Sequence, residues 1–301
     1  MNYVFPLIAT LIWGGNAIVT KLSASVIAPA EIGFYRWFAA VLLLLPFVAP
    51  GLYANRDLVR RQIWRLAVLG ILGGAVFQCL AYMAAQFTSA LNIGIIQALM
   101  PLFSIGLITA LLGHRTTYGA ILGAAISLAG VAVVVSRGSP ATLLAQGPNR
   151  GDAMMLVATM SYAAYSVLLK RWEIRLPLPQ SLCVQAVVAS AALLPLYLIS
   201  DRHGLHADNV PLVLYAAVLA SVVAPLVWMH GINRIGPARM SLFFNLVPVF
   251  STCLAITLLG EQPTISLIAG GGLTMGGVLL AELWRAPLRN PIAKSAVRPE
   301  T

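Results

Sequence analysis

The apolar residues of this chain arrive in ten blocks, each separated from the next by a short loop with turn or charged residues. A helix needs roughly 20 apolar residues to cross the hydrocarbon core of a bilayer. The pattern therefore predicts an all-α membrane protein with ten transmembrane helices. They are numbered α1 to α10 and are expected at residues 3–20, 30–48, 64–84, 91–111, 117–136, 152–170, 179–199, 211–231, 238–259 and 265–283.

The Lys and Arg residues between these blocks predict the orientation. With the N-terminus inside, the cytoplasmic loops and the tail hold fourteen of them and the opposite side holds four. Positive residues accumulate on the cytoplasmic side of membrane proteins. We therefore expect a multi-pass protein of the bacterial inner membrane with both termini in the cytoplasm.

Two stretches of the chain resemble each other. Residues 99–131 align with residues 246–278 at an offset of 147, with thirteen identities over 33 positions that include prolines and glycines in step. Each half then holds five helices, an odd number, so the second half must enter the membrane inverted. Inverted repeats are typical of secondary transporters. The predicted organisation is a first repeat at 1–137, a linker at 138–150, a second repeat at 151–285 and a basic cytoplasmic tail at 286–301.

The composition excludes a soluble domain. Hydrophobic residues make up 59% of the 301 residues and charged residues only 9%, against roughly 25% in soluble proteins. The net charge of +10 lies between apolar blocks, so it indicates contact with lipid headgroups and no nucleic-acid partner. Three scattered cysteines inside apolar blocks predict no metal site, no disulfide and no cofactor.

Three segments resemble the EamA-type drug/metabolite transporters. They are LIWGGNAIVTKL in α1, PAEIGFYRW at the start of α2 and LVPVFSTCLAITLLGEQPT in α9, and the resemblance covers residues 3–284. It implies ten helices in two inverted five-helix repeats and export of small metabolites, often amino acids. The first half departs from the family pattern, since Gly113 is followed by His114 where the family has glutamate. Glu261 keeps that acid in the second half.

No carboxylate is predicted deep in the membrane. All nine acidic residues lie in loops, in the tail or within about two turns of a helix end. A proton-coupled antiporter of cations would hold such a carboxylate. We therefore expect either a facilitator driven by the substrate gradient or coupling through a group such as His230. Motifs of intramembrane hydrolases such as HExxH and GxSxG do not occur in the sequence, so no enzyme is predicted.

Uncharged polar residues of α3, α4 and α9 are candidates for the substrate site. Gln78 and Tyr82 lie on one face of α3, and interhelical hydrogen bonding is the alternative role for that face. Pro101 and Pro248 each leave the carbonyl four residues earlier without a donor. The freed carbonyls are those of Gln97 and Phe244, and Pro225 in α8 is a further candidate kink.

Aromatic and amide side chains within the helices complete the predicted site. Tryptophan faces bind amines and also pack as ordinary core, so both interpretations stay open. These residues are expected around an uncharged cavity between α1, α3, α4, α6, α8 and α9, and they are Trp13, Asn16, Tyr162, Tyr165, Trp228 and Asn245.

Charged and small residues receive structural assignments. Lys21 and Glu261 are predicted to form a gating or bracing pair at external helix ends. Arg36 is expected to reach the external surface or to pair with Glu31. Two glycine motifs, residues 119–123 and 272–276, are predicted to pack helices closely, either within the chain or between two copies in a dimer.

The sequence thus predicts an exporter of small net-neutral metabolites, most of all amino acids including aromatic ones, that works by alternating access around a central uncharged cavity. A sugar, nucleotide-sugar or drug permease of the same fold is the alternative within transport, and an intramembrane enzyme is the alternative from another class. The expected partners are a small-molecule substrate and the lipid bilayer, and a homodimer is left open.

Overall fold

The computed structural model describes residues 3–23, 26–88, 90–113, 116–136, 138, 139, 141, 149–201, 204–260, 262, 264–284 and 286. Its regular structure consists of helices, so the predicted all-α class is confirmed. In the first half, the helices are α1 Val4–Ser23, α2 Pro29–Ala54, α3 in three pieces (Arg56–Leu69, a π-helical segment Gly70–Val76, and Phe77–Ala84), α4 in two pieces (Ala90–Gln97 and Met100–Leu112) and α5 Tyr118–Val135. In the second half, they are α6 Arg150–Trp172, α7 Leu178–Ile199, α8 in three pieces (Val210–Leu214, a π-helical segment Tyr215–Val223, and Ala224–Ile235), α9 in two pieces (Pro237–Phe244 and Leu246–Leu259) and α10 Ile265–Leu283.

Among the described residues, nine of these helices are long and apolar enough to cross a membrane. The first predicted segment corresponds to a shorter apolar helix, Val4–Thr20. Large apolar side chains project outward from the bundle, as at Phe47 and Ile199, which are more than four-fifths exposed. Such side chains are stable when lipid tails surround them, so the molecule is a multi-pass membrane protein.

Helices α3 and α8 each contain a π-helical segment that the hydropathy pattern does not predict. The offset of 147 moves Gly70–Val76 onto residues 217–223, within the π-helical Tyr215–Val223. In α8 the segment ends just before Pro225, which cannot donate to the carbonyl of Ser221. Pro225 thus marks a change of helical geometry. Segments of this kind leave carbonyls available to neighbouring helices and often mark functional positions.

The prolines predicted to bend α4 and α9 stand at interruptions of both helices. The first piece of α4 ends at Gln97, and the second begins with Pro101 in its first turn. In α9 the break falls at Asn245, between Phe244 and the piece that carries Pro248. The two breaks occupy equivalent positions of the two similar stretches, because the offset of 147 joins Pro101 to Pro248.

Helices α5 and α10 pack backbone to backbone. A Cβ built on Gly123 would meet the carbonyl of Gly277, and one on Gly130 would meet Gly270. As the residue number rises along α5 it falls along α10, so these two helices are antiparallel. The prediction for Gly119 and Gly123 agrees with these contacts, since a Cβ on Gly119 would also meet the backbone of α10.

The glycine motif predicted in α10 does not take part in this contact, and its use between two copies of the chain stays a prediction. Gly272 and Gly276 have no neighbouring atoms within 4 Å of a built Cβ, and both face outward. The contact uses Gly270 and Gly277 instead, because the partner helix lies against a neighbouring face of α10.

Candidate functional site

A cavity of about 560 Å³ lies between α2, α3 and α7. Such a volume suits a small metabolite. Tyr82 of the predicted polar face of α3 lines it, as does Gln86 just beyond the end of α3. Gly33 of α2 and Leu193 of α7 complete its inner part. Residues at the start of α2 and at the end of α7 form its outer part, so the cavity lies at the end of the molecule where these helices meet.

Arg36 lies immediately behind this cavity and is 1% exposed. Its Nε donates to Oγ of Ser221 at 2.8 Å, and its Nη1 donates to Oε1 of Gln78 at 3.4 Å and to Oη of Tyr82 at 3.3 Å. The expectation that Arg36 reaches the surface or pairs with Glu31 is therefore wrong. Side chains of α3 and the π-helical segment of α8 hold the guanidinium inside instead. Glu31 caps the start of α2 and accepts a hydrogen bond from the backbone of Gly204.

The predicted aromatic residues come together in one cluster. The ring centroids of Trp13 and Trp228 lie 5.1 Å apart, Trp13 meets the edge of Tyr162 at 5.9 Å, and Phe244 lies 5.5 Å from Trp13. The ring of Tyr165 lies 5.3 Å from that of Tyr162, tilted by 37°. This cluster occupies the space between α1, α6, α8 and α9.

In this conformation the aromatic cluster fills the centre of the bundle, where the cavity was predicted. Trp228 is fully buried, and Tyr162, Tyr165 and Phe244 are nearly so. The described cavity lies to one side, between α2, α3 and α7, and a permanently charged group stands behind its wall. Whether the aromatic residues contact substrate stays a prediction.

One side chain of α1 and one of α6 each donate a hydrogen bond to a backbone carbonyl in a π-helical segment. Nε1 of Trp13 donates to the carbonyl of Ala220 at 3.2 Å, and Oγ of Ser161 donates to the carbonyl of Leu72 at 2.7 Å. The two acceptors lie in equivalent segments of α8 and α3. This reciprocal arrangement holds the first helix of each half against the third helix of the other half.

The two asparagines of the predicted site each have a buried amide oxygen. Nδ2 of Asn245 donates to Oγ of Ser127 at 3.0 Å, and its Oδ1 is buried without a hydrogen bond. Oδ1 of Asn16 is likewise buried and has no partner among the described residues. Buried amide oxygens usually find a donor. These two acceptors are therefore sites at which a substrate donor or a water molecule would be stabilised.

The remaining predicted site residues are not brought into the cavity. Gln97 ends the first piece of α4, away from the residues that line the cavity. Glu261 and the side chain of Lys21 lie outside the described residues, and their pairing stays a prediction.

Two polar clusters close the ends of the bundle, and hydropathy alone gives no sign of either. At one end, Oη of Tyr3 donates to Oε2 of Glu282 at 2.9 Å, and Nε of Arg239 lies 3.4 Å from Oε1 of the same carboxylate. At the other end, Asp152 accepts hydrogen bonds from Thr88 and Asn92 and from the backbone of Asn149.

A polytopic helical bundle with helix breaks in equivalent positions and a metabolite-sized cavity is typical of a transporter. The EamA-like transporter family matches residues 1–136 and again residues 149–283, and this chain belongs to that family. The predicted resemblance is thereby confirmed.

Known proteins similar to this chain are transporters by name. The "Uncharacterized transporter YyaM" of Bacillus subtilis (strain 168) is 27% identical over 98% of both chains. The "Probable terminal-alkyne amino-acid exporter" of Streptantibioticus cattleyicolor is 26% identical over 77% of both. A solved crystal structure superposes with a TM-score of 0.79 at 20% identity, covering 94% of this chain and 96% of the other, which shows a shared fold.

Proposed function

We propose that this protein exports small net-neutral metabolites, most of all amino acids, by alternating access between two inverted five-helix repeats. The first repeat comprises residues 1–137 and the second residues 151–285, joined by a linker at 138–150 and followed by a cytoplasmic tail at 286–301. The protein acts in the bacterial inner membrane with both termini in the cytoplasm. Membrane transport itself follows from the family.

The proposal rests on the contacts between helix ends, which fall into two sets. One set joins Tyr3 to Glu282, Asn55 to Gln180 and Lys170 to Asn233. The other joins Glu31 to Gly204 and Thr88 to Asp152. Ten crossings that begin in the cytoplasm place every member of the first set inside and every member of the second set outside. If only nine helices crossed the membrane and α1 lay outside it, α1 could not make the contacts that it has with the other helices.

The packing of α5 against α10 supports inversion of the repeats. These helices occupy equivalent places in the two halves, and Gly123 and Gly130 align with Gly270 and Gly277. The contacts pair Gly123 with Gly277 and Gly130 with Gly270, so equivalent helices run in opposite directions. A two-fold axis in the membrane plane produces this reciprocal pattern. The match of the family to each half separately agrees with it.

In this topology the conformation faces outward. The cavity between α2, α3 and α7 includes residues of the external ends, such as Pro29 and Asp201. At the cytoplasmic end, Glu282 joins α1, α9 and α10. The change to an inward-facing state would separate these three helices and part the aromatic cluster, which would then expose Trp13, Tyr162 and Trp228 to the substrate together with Gln78 and Tyr82.

The proposed driving force is the gradient of the substrate itself. The buried described carboxylates, Glu31 and Glu282, lie in the first turn of α2 and the last turn of α10 and are held by local partners. Neither lies in the cavity, and the carboxylate that does line it, that of Asp201, is exposed at its outer end. A carboxylate that exchanges a proton for substrate would have to meet the substrate path.

The test is uptake into proteoliposomes from a panel of labelled amino acids, nucleosides and sugars, with and without a pH gradient. We expect uptake of several amino acids that a pH gradient leaves unchanged. Tyr82→Phe should change the order of preference because it removes one hydroxyl from the cavity wall. Tyr118→Phe is the matched control, since that ring is exposed and packs on Trp284. Uptake of sugars or nucleosides in place of amino acids would overturn the proposal.

A further inference from the structure

We propose that Arg36 is the binding group for a carboxylate on the transported molecule, so that a carboxylate is required for recognition at this site. This inference deepens the proposed function and rests on it for the identification of the site as a transport site. It replaces the uncharged cavity expected from the sequence with a cavity that has one fixed positive charge behind its wall.

The guanidinium of Arg36 is buried among neutral groups. An arginine side chain keeps its charge in proteins, and burying a charge is costly unless an opposite charge compensates it. Arg36 is 1% exposed and lies about 10 Å along α2 from Pro29, at 1.5 Å per residue. Within the described part of the chain it donates only to neutral oxygens, those of Ser221, Gln78 and Tyr82. The resting protein therefore supplies no counter-anion from its described residues.

The three hydrogen bonds of the guanidinium differ in length. The bond from Nε to Ser221 is 2.8 Å long and fixes the side chain, whereas the two bonds from Nη1 are 3.3 and 3.4 Å long. N–H···O bonds to a carboxylate are typically about 2.7–2.9 Å long and stronger than bonds to neutral groups. A carboxylate would thus displace the long contacts of Nη1 while Ser221 keeps the arginine in place.

The guanidinium lies within reach of a molecule bound in the cavity. Tyr82 lines the cavity and its hydroxyl touches Nη1, so a small movement of this ring brings a bound molecule to the guanidinium. Gly33 lies one turn before Arg36 on α2 and also lines the cavity, and its lack of a side chain leaves the approach open. A Cβ at Gly33 would lie 4.0 Å from the Tyr82 ring and would narrow that approach.

The planar fork of arginine suits a carboxylate in particular. The cavity of about 560 Å³ has room for an amino acid beside it, and the amide oxygen of Gln78 is available as an acceptor for an ammonium group once Nη1 has turned away. A net-neutral zwitterion then compensates the buried charge at one end without bringing net charge into the membrane.

The first experiment measures binding to the purified full-length protein by thermal shift, with benzoate and its neutral isostere benzamide at constant ionic strength. We expect benzoate to raise the melting temperature and benzamide to leave it unchanged. Arg36→Gln should weaken benzoate binding tenfold or more, and Arg36→Lys should weaken it less, because the charge remains but the fork is lost. Arg65→Gln is the matched control, an arginine of α3 that stacks on Trp64 away from the cavity.

The wild-type comparison of benzoate with benzamide needs no variant, so a folding defect in Arg36→Gln does not remove the test. Equal effects of the two probes, stabilisation by inorganic phosphate in place of benzoate, or full benzoate binding by a folded Arg36→Gln protein would each overturn the inference.

The second experiment separates this inference from the proposed function. In proteoliposomes, the best-transported amino acid of the panel is compared with its amide, and we expect the amide to be transported at least tenfold more slowly. Amino-acid uptake that Arg36→Gln leaves intact overturns the role of Arg36 and leaves the proposed function standing. An absence of amino-acid uptake, together with benzoate binding that depends on Arg36, overturns the proposed function and leaves the carboxylate site standing.

Discussion

The backbone of Gly123 in α5 lies directly against the backbone of Gly277 in α10. A Cβ added to Gly277 would lie 2.5 Å from the carbonyl oxygen of Gly123 and 2.5 Å from the amide nitrogen of Ser127. Neither neighbour is the flexible end of a side chain, so the helices themselves would have to separate. The contact fixes the distance between α5 and α10.

Gly277→Ala should destabilise the protein by about 1–3 kcal/mol, because overpacking forces backbone shifts. Gly276→Ala is the matched control: its Cβ meets nothing within 4 Å, and alanine is about 0.5–1 kcal/mol better than glycine inside a helix. Thermal unfolding in detergent should therefore give a lower melting temperature for the first variant and an equal or higher one for the second. A melting temperature that falls equally in both variants would contradict the assigned contact.

The carboxylate of Glu282 should control opening at the end of the bundle that is proposed to face the cytoplasm. It is 7% exposed, accepts from Tyr3 and lies 3.4 Å from Nε of Arg239. Glu282→Gln removes the ionic contact, so we expect the inward-facing state to become a few-fold more populated. The readout is the labelling rate of the thiol introduced by Phe243→Cys, in a background from which the native cysteines have been removed. Phe243 is buried, and its ring stacks on that of Tyr3.

Labelling by a reagent confined to the cytoplasmic side should rise with Glu282→Gln. Glu173→Gln serves as the control, since this carboxylate is exposed at the end of α6. The interpretation fails if both variants, or neither, change the labelling rate.

The sequence predicts those features of the fold that depend on local chemistry. The helix breaks near Pro101 and Pro248 follow from a missing N–H group, and hydropathy locates each apolar helix. Local chemistry does not predict which glycines of α10 face α5. Residues 270–272 are all glycine, so several faces of α10 carry small residues, and only the position of α5 selects Gly270 and Gly277.

The environment of Arg36 also depends on tertiary structure. Hydropathy places this arginine near a helix end, where long cations normally reach the membrane surface. Its three partners come from α3 and α8, and Ser221 belongs to a π-helical segment that no periodicity in the sequence indicates. The sequence does identify Gln78 and Tyr82 as a polar face of α3, but it does not reveal that this face meets a buried cation.

Asp152 should stabilise its end of the bundle, proposed to be external, through its tertiary hydrogen bonds. It joins the start of α6 to Thr88 and Asn92, and Arg150 beside it lies 3.8 Å above the ring of Phe87. Asp152→Ala should cost about 2–3 kcal/mol, because hydrogen bonds to a charged group contribute about 1.5–3 kcal/mol each and some are replaced by water.

Asp57→Ala is the matched control for Asp152→Ala. Both aspartates lie in the first turn of a helix that an asparagine precedes, so both interact favourably with the helix dipole. Asp57 is exposed, and its substitution should cost about 0.3–1 kcal/mol. Similar melting temperatures for the two variants would show that the contacts of Asp152 contribute little beyond the dipole.

Trp228 should be the most important side chain of the aromatic cluster for stability. It is fully buried, its Nε1 lies 3.3 Å from Oγ of Ser166, and its ring contacts Trp13 and Phe244. Trp228→Ala should cost about 3–5 kcal/mol, as expected for deletion of a large aromatic side chain from a packed core. Trp64→Ala, at a tryptophan that is 53% exposed, should cost clearly less. Thermal unfolding of both variants in detergent measures the difference. If Trp228→Ala unfolds at the wild-type temperature yet changes amino-acid uptake, the indole acts on the substrate and the packing assigned to it here is wrong.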